Sequence, residues 1–178
     1  MKRSLAALTG ALIPLSLAPF NLWPIGILCM AALAWSLNDS SPKQGFFRGW
    51  LFGSASFLTG VSWIFVAMYV YGDTSAPLSA LMTAVFCIGI GLIAGPFGYS
   101  YSRWLRDGRS GRLLGFAAGW VLFEWLRGWF MTGFPWLYLG YGHLHSPLSG
   151  WAPVLGIYGL TFWVALSGAA LAAVITAP

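Results

Sequence analysis

The chain has 178 residues, of which 58% are hydrophobic, 17% aromatic and only 7% charged, with a formal net charge of +5. Its mean hydropathy is +0.76 and its pI about 9.6. Soluble domains carry roughly 25% charged residues, so a water-soluble enzyme, a disordered tail and a disulfide-rich secreted module are excluded, and an integral membrane protein is expected.

A spanning helix needs about 20 apolar residues, so the length has room for about six spans and no sizeable domain outside the bilayer. The predicted fold class is all-α: a polytopic membrane helix bundle of about six transmembrane helices in a single domain, 1–178, the first two short and hairpin-like.

The first run, 5–18, follows Lys2 and Arg3 and contains Pro14. As a helix it rises only about 21 Å. Its basic start, apolar centre and small residues Ser16 and Ala18 also suit a signal peptide. Cleavage after Ala18 would put Pro19 at the first mature position, a poor fit for a protease, so a retained helix is expected. The second run is 22–37, and Pro19 and Pro24 block continuation between the two, giving a tight hairpin. After a polar loop come the long aromatic run 46–71, the run 78–101 with a kink expected at Gly95-Pro96, a basic loop, and the run 113–130. The last run is 154–177. Before it, 131–153 is rich in Gly, Pro and aromatics and has no formal charge; it is predicted to lie in the membrane interface.

Eight of the nine basic residues fall on one side of this topology: Lys2, Arg3, Lys43, Arg48, Arg103, Arg106, Arg109 and Arg112. The positive-inside rule then places the N-terminus in the cytoplasm and 131–153 outside. Basic residues spread between apolar runs do not form a nucleic-acid face. Gly49 and Gly53, Gly91 and Gly95, and Gly111, Gly115 and Gly119 have the four-residue spacing of close helix contacts. Cys29 and Cys87 sit in apolar runs without an acid or base near them and read as packing residues.

Glu124 and Arg127, spaced i, i+3, share a helix face near the outer end of the fifth run. Charges inside a membrane are costly and point to function. One reading is an arginine that contacts a lipid phosphate, oriented by Glu124; the other is a pair that braces the bundle. Phe134, Pro135 and Trp136 follow, on a backbone shaped by Gly133, with Tyr138, Tyr141 and Trp151 nearby. That clustering suits an apolar platform for an acyl chain, set against an ordinary aromatic belt. His143 and His145 form an H-x-H pair with no Cys, Asp or Glu close by, so no metal site is expected. No catalytic set is present, and no cofactor is expected.

Two stretches together resemble bacterial apolipoprotein N-acyltransferase. One is Leu17-Ala18-Pro19-Phe20-Asn21-Leu22-Trp23-Pro24. The other runs from Glu124-Trp125-Leu126-Arg127-Gly128-Trp129 through Thr132-Gly133-Phe134-Pro135-Trp136-Leu137 to Gly140-Tyr141, with Ala152-Pro153-Val154-Leu155-Gly156 beyond. The resemblance implies a bacterial inner-membrane acyltransferase. Its partners would be a phospholipid acyl donor, a diacylated apolipoprotein acceptor and membrane lipids, with no nucleic acid. Members of this family are about three times as long. They follow the helical region with a nitrilase-like domain whose cysteine, helped by a glutamate and a lysine, carries the acyl group. None of that triad has a counterpart here. The chain is expected to be a truncated or fragmentary member, inactive alone, with Glu124, Arg127, Phe134, Pro135, Trp136 and Tyr141 as candidate lipid-substrate residues. The competing reading is a non-enzymatic lipid-binding subunit or half-transporter.

Overall fold

The structure is a computed structural model. It describes residues 1–176, and every regular element among them is helical. Helix α1 (Lys2–Leu12) tightens into a 3-10 turn at Ile13–Ser16, and α2 (Trp23–Asn38) starts with Pro24 in its first turn. Proline fits there because the first-turn N–H groups have no helical partner anyway.

Helix α3 (Pro42–Gly60) opens with a reciprocal cap. The Gln44 N–H donates to Ser41 Oγ at 3.4 Å, and the Ser41 N–H donates to Gln44 Oε1 at 3.3 Å. The run 46–71, read as one segment, is in fact broken. Helix α3 stops at Gly60, and α4 (Trp63–Val66) leaves with its π-helical extension Ala67–Tyr71 at a 48° bend. The break falls where Leu137 closes on the backbone: a Cβ on Gly60 would come within 2.7 Å of that side chain.

Helix α5 (Ala76–Gly91) is followed by α6 (Ala94–Ser100) and a π-helical turn, Tyr101–Leu105. The kink expected at Gly95-Pro96 appears a turn earlier, at Leu92 and Ile93. Pro96 has no N–H to offer the carbonyl of Leu92, four residues before it, and that carbonyl takes the Gly95 N–H instead, at 2.9 Å. A single turn, α7 (Gly108–Ser110), passes through the π-helical turn Gly111–Gly115 into α8 (Phe116–Arg127). Short 3-10 turns at Phe130–Thr132, Leu139–His143 and Ser149–Trp151 lead to α9 (Ala152–Ile175). Helix α9 is interrupted at Gly156, whose φ of 63° and ψ of −174° suit only glycine. The predicted last run reached Ala177, which lies outside the described residues.

Among the described residues, two stretches are long and apolar enough to cross a bilayer by themselves, Ala76–Leu105 and Ser149–Ile175; the bent pair α3 and α4 makes a third if taken as one span. The expected count of six spans is not confirmed by length and hydropathy, because α1 and α2 are short and α3 to α4 is broken.

The side-chain pattern is that of helices solvated by lipid. Along α5 the buried residues are Ser79, Thr83, Cys87 and Gly91, while Leu78, Leu81, Met82 and Val85 are exposed. Small and weakly polar groups face the neighbouring helix and bulky apolar ones face outward, the reverse of a soluble helix. The glycine spacing serves the same packing. A Cβ on Gly45, Gly49 or Gly53 of α3 would meet backbone oxygens of Gly98, Ala94 or Gly91 at 2.3, 2.1 and 2.7 Å. Helix α2 packs on α9, and α8 on α9. Phe97 anchors the centre, with the rings of Tyr101, Phe116, Trp120 and Phe123 around it.

The two ends of the bundle differ. At one end Lys2 pairs with Asp39 at 3.4 Å, Arg3 lies over the Phe47 ring, and Arg106 donates to the carbonyls of Leu37, Asn38 and Ser40. Ser40 and Ser102 share a 2.7 Å hydrogen bond, and the Tyr101 hydroxyl reaches Asn38 at 2.8 Å. This end gathers the termini of α1, α2, α3 and α6. At the far end the irregular segment after α8 packs on the other helix ends.

Candidate functional site

The far end is organised by two buried charged residues on α8, Glu124 and Arg127, which are 3% and 6% exposed. Helical spacing puts Trp120, Glu124 and Arg127 on one face. One carboxylate oxygen of Glu124 accepts from Trp120 Nε1 and from the Leu139 N–H, both at 3.1 Å. The other accepts from the Thr161 hydroxyl of α9 at 2.8 Å, and that hydroxyl accepts the Gly140 N–H at 3.0 Å. Glu124 thus joins α8, α9 and the start of the Leu139–His143 turn.

Arg127 grips the backbone of the segment that follows its helix. Its Nη1 donates to the Phe134 carbonyl at 2.8 Å and to the Trp136 carbonyl. In return the Phe134 N–H donates to the Arg127 carbonyl at 2.9 Å. The guanidinium lies over the rings of Phe57 and Tyr138, 5.1 and 4.7 Å from their centroids. Among the described residues, no hydrogen bond joins Glu124 to the Arg127 guanidinium; each residue holds a different part of the chain. The turn needs such holding, because Thr132, Gly133 and Leu137 have φ of 79°, 83° and 60°, a region costly for residues other than glycine.

The pinned segment displays its rings. Phe134 and Trp136 stack at 5.0 Å with planes 18° apart. Trp63 of α4 adds a ring 5.8 Å from Trp136, and Phe86 of α5 one 5.1 Å from Phe134. Trp136 remains 47% exposed, and Pro135 beside it is exposed as well. Tyr141, also exposed, stacks on buried Tyr138 at 5.9 Å and sits on the other flank. Of the six candidates, Glu124 and Arg127 lie beneath the surface, Phe134, Pro135 and Trp136 form one face, and Tyr141 lies apart from it, stacked on Tyr138. Sequence reasoning missed Trp63, Phe86, Trp120 and Thr161. Trp120 was signalled by its place one turn before Glu124; the others come from distant helices.

A cavity of about 40 Å³ lies behind the face, between Phe52, Phe57, Trp120, Glu124, Arg127 and Leu137. It holds about three waters and no acyl chain.

His143 and His145 part company: His143 is 2% exposed and His145 is exposed. His143 Nδ1 meets Ser146 Oγ at 2.9 Å, its ring packs 5.6 Å from that of Trp23, and its Nε2 has no hydrogen-bond partner among the described residues. Burial pulls the imidazole below its ordinary titration range. Burial also pushes the Tyr138 phenol up. Both cysteines are buried in helix packing.

Fold and site together define a class: an all-helical bundle with membrane-length helices and a braced aromatic segment at one end. A family model described as the apolipoprotein N-acyltransferase N-terminal domain matches residues 9–170, and the chain belongs to that family. It is 43% identical over 169 residues to an apolipoprotein N-acyltransferase of Azotobacter vinelandii, covering 94% of this chain and 33% of the relative. A Pseudomonas aeruginosa PAO1 relative of the same name matches at 43% with the same coverage. A Coxiella burnetii one matches at 41% over 167 residues, 93% of this chain and 34% of the relative. The chain spans about a third of the length of these curated relatives.

Proposed function

We propose that this chain is the membrane region of an apolipoprotein N-acyltransferase, anchoring the enzyme in the bacterial inner membrane and shaping the place where its lipid substrates meet. The acyl donor is a phospholipid, and the acceptor is the diacylglyceryl-cysteine at a lipoprotein's N-terminus. Transfer itself belongs to the Glu-Lys-Cys centre of the remaining two-thirds of such a protein, so this chain alone has no transferase activity. Phe134, Pro135, Trp136 and Tyr141 contact the lipid chains. Glu124 and Arg127 act one step back, fixing the backbone that carries those rings.

The observation that carries the reading is the grip of Arg127 on the Phe134 and Trp136 carbonyls beneath a half-exposed Trp136 ring. A rigid aromatic surface at the membrane interface binds a lipid chain at low entropic cost. Holding donor and acceptor at one depth turns a two-dimensional encounter into a positioned one. The gathering of basic groups at the opposite end supports a cytoplasmic N-terminus and an outward aromatic face.

The test is a chimera in which this chain replaces the matching third of the Azotobacter vinelandii protein, assayed for acyl transfer to a diacylated lipopeptide in vesicles. The chimera should be active. Trp136→Ala should raise the KM for lipid substrates about tenfold, the range for losing one desolvated aromatic contact, with the melting curve unchanged. An active Trp136→Ala chimera with parental KM refutes the assigned contact.

A further inference from the structure

We propose that the basic end of the bundle carries a second lipid site, for the phosphodiester headgroup of an anionic phospholipid, between the α7–α8 entry and the last turns of α9. It is separate from the aromatic face and does not rest on the acyltransfer reading.

A pocket of about 530 Å³ opens there, within the 300–1,000 Å³ range of ordinary ligand sites. One wall carries Arg109, Arg112 and Leu113, the other Ala170, Ala173 and Val174. No acid lines it. Asp39 is engaged by Lys2, and Asp107 lies outside the lining.

The two arginines have spare donors. Arg48 donates from Nη1 and Nη2 to the Ser36 carbonyl and Gln44, its Nε being buried, and Arg106 donates to the carbonyls of Leu37, Asn38 and Ser40. Among the described residues, the Arg109 and Arg112 side chains make no hydrogen bond, and both residues are exposed. Two guanidinium forks facing one space match the oxygens of a phosphate. The C-terminal end of α9 adds about half a negative charge at the rim, against two full positive charges.

The opposite wall selects a lipid over a soluble anion. Ala170 and Ala173 leave a shallow channel along α9, and Val174 is 73% exposed beside it. A headgroup held by the arginines can lay its first methylenes in that channel, on a helix long enough to cross the bilayer. Basic pockets between membrane helices suit anionic headgroups for this reason.

The chain, purified in mild detergent and placed in nanodiscs of phosphatidylcholine with a minor share of phosphatidylglycerol or cardiolipin, is read by native mass spectrometry for retained lipid. It should keep one anionic lipid in preference to phosphatidylcholine. Arg109→Gln or Arg112→Gln should each weaken retention about fivefold, and the two together about thirtyfold. Ala173→Phe fills the channel with both charges intact and should also release the lipid. Arg103→Gln, on the preceding π-helical turn and outside the pocket, should leave it bound. Retention unchanged by Ala173→Phe, or lost equally with Arg103→Gln, would mean diffuse surface charge and overturn the site. Displacement by inorganic phosphate as readily as by anionic lipid would overturn the lipid assignment.

Discussion

Arg127 and Glu124 stand one turn apart with opposite charges, yet Arg127 spends its hydrogen bonds on two main-chain carbonyls and Glu124 on an indole N–H, a main-chain N–H and a hydroxyl. Buried carbonyls and N–H groups cost roughly 1–3 kcal/mol each when stranded. Arg127→Ala removes the donor from the part-buried carbonyls of Phe134 and Trp136, so it should destabilise the protein by about 1 kcal/mol or more, visible as a lower melting temperature in detergent. Trp136→Ala strands nothing and should melt with the parent; the contrast separates a brace from a contact surface. His143 gives a pH signature. Its folded titration lies below the ordinary 6.5 because it is buried. The unfolded chain therefore binds the extra proton first as pH falls. The stability owed to neutral His143 is complete above about pH 6.5 and drains away as pH drops through the lower folded value. A melting temperature that declines from about pH 7 to about pH 5 in the parent, and less steeply in His143→Gln, is the expected result. At this scale the sequence was half legible. Two charges in an apolar run stood out, but the Thr161 hydroxyl that meets Glu124 lies 37 residues on, and no local pattern ties the two.

Between helices, the closest approaches are at glycine. A Cβ at Gly49 would sit 2.1 Å from the Ala94 carbonyl oxygen, which belongs to backbone and cannot swing aside. Gly49→Val should cost about 3 kcal/mol through helix displacement, measured as a shift in the unfolding midpoint. Gly156→Ala meets open space but forces φ of 63° on an L-residue; it should cost about 1–2 kcal/mol. Comparing the two variants separates crowding from backbone strain. The four-residue spacing of Gly49 and Gly53 was plain in the sequence, since helix geometry turns it directly into a stripe. The break after Gly60 was not. Residues 60–62 are Gly-Val-Ser, and the Leu137 side chain that packs against Gly60 at the break comes from a segment far along the chain. The displaced bend at Leu92 could have been read from Pro96 by counting back to the carbonyl it leaves unpaired.

For the bundle as a whole, orientation is the property that every membrane assignment depends on. With both native cysteines buried, Lys43→Cys and Trp151→Cys can be labelled selectively in spheroplasts by a membrane-impermeant maleimide. The expected outcome is labelling at position 151 from outside, and at 43 only after the membrane is opened. The overall class, all-helical and lipid-solvated, was legible from composition because 13 charged side chains cannot dress a soluble surface of this size. The number of crossings was not, since helices of 11 and 16 residues, α1 and α2, match no fixed bilayer thickness. One arrangement bears on how such a protein can change over time. Arg127 holds positions 134 and 136 by main-chain oxygens that every amino acid possesses, so the rings mounted there are interchangeable parts on a fixed bracket. New side chains at Phe134 or Trp136 can change the exposed surface while the loop beneath keeps its shape.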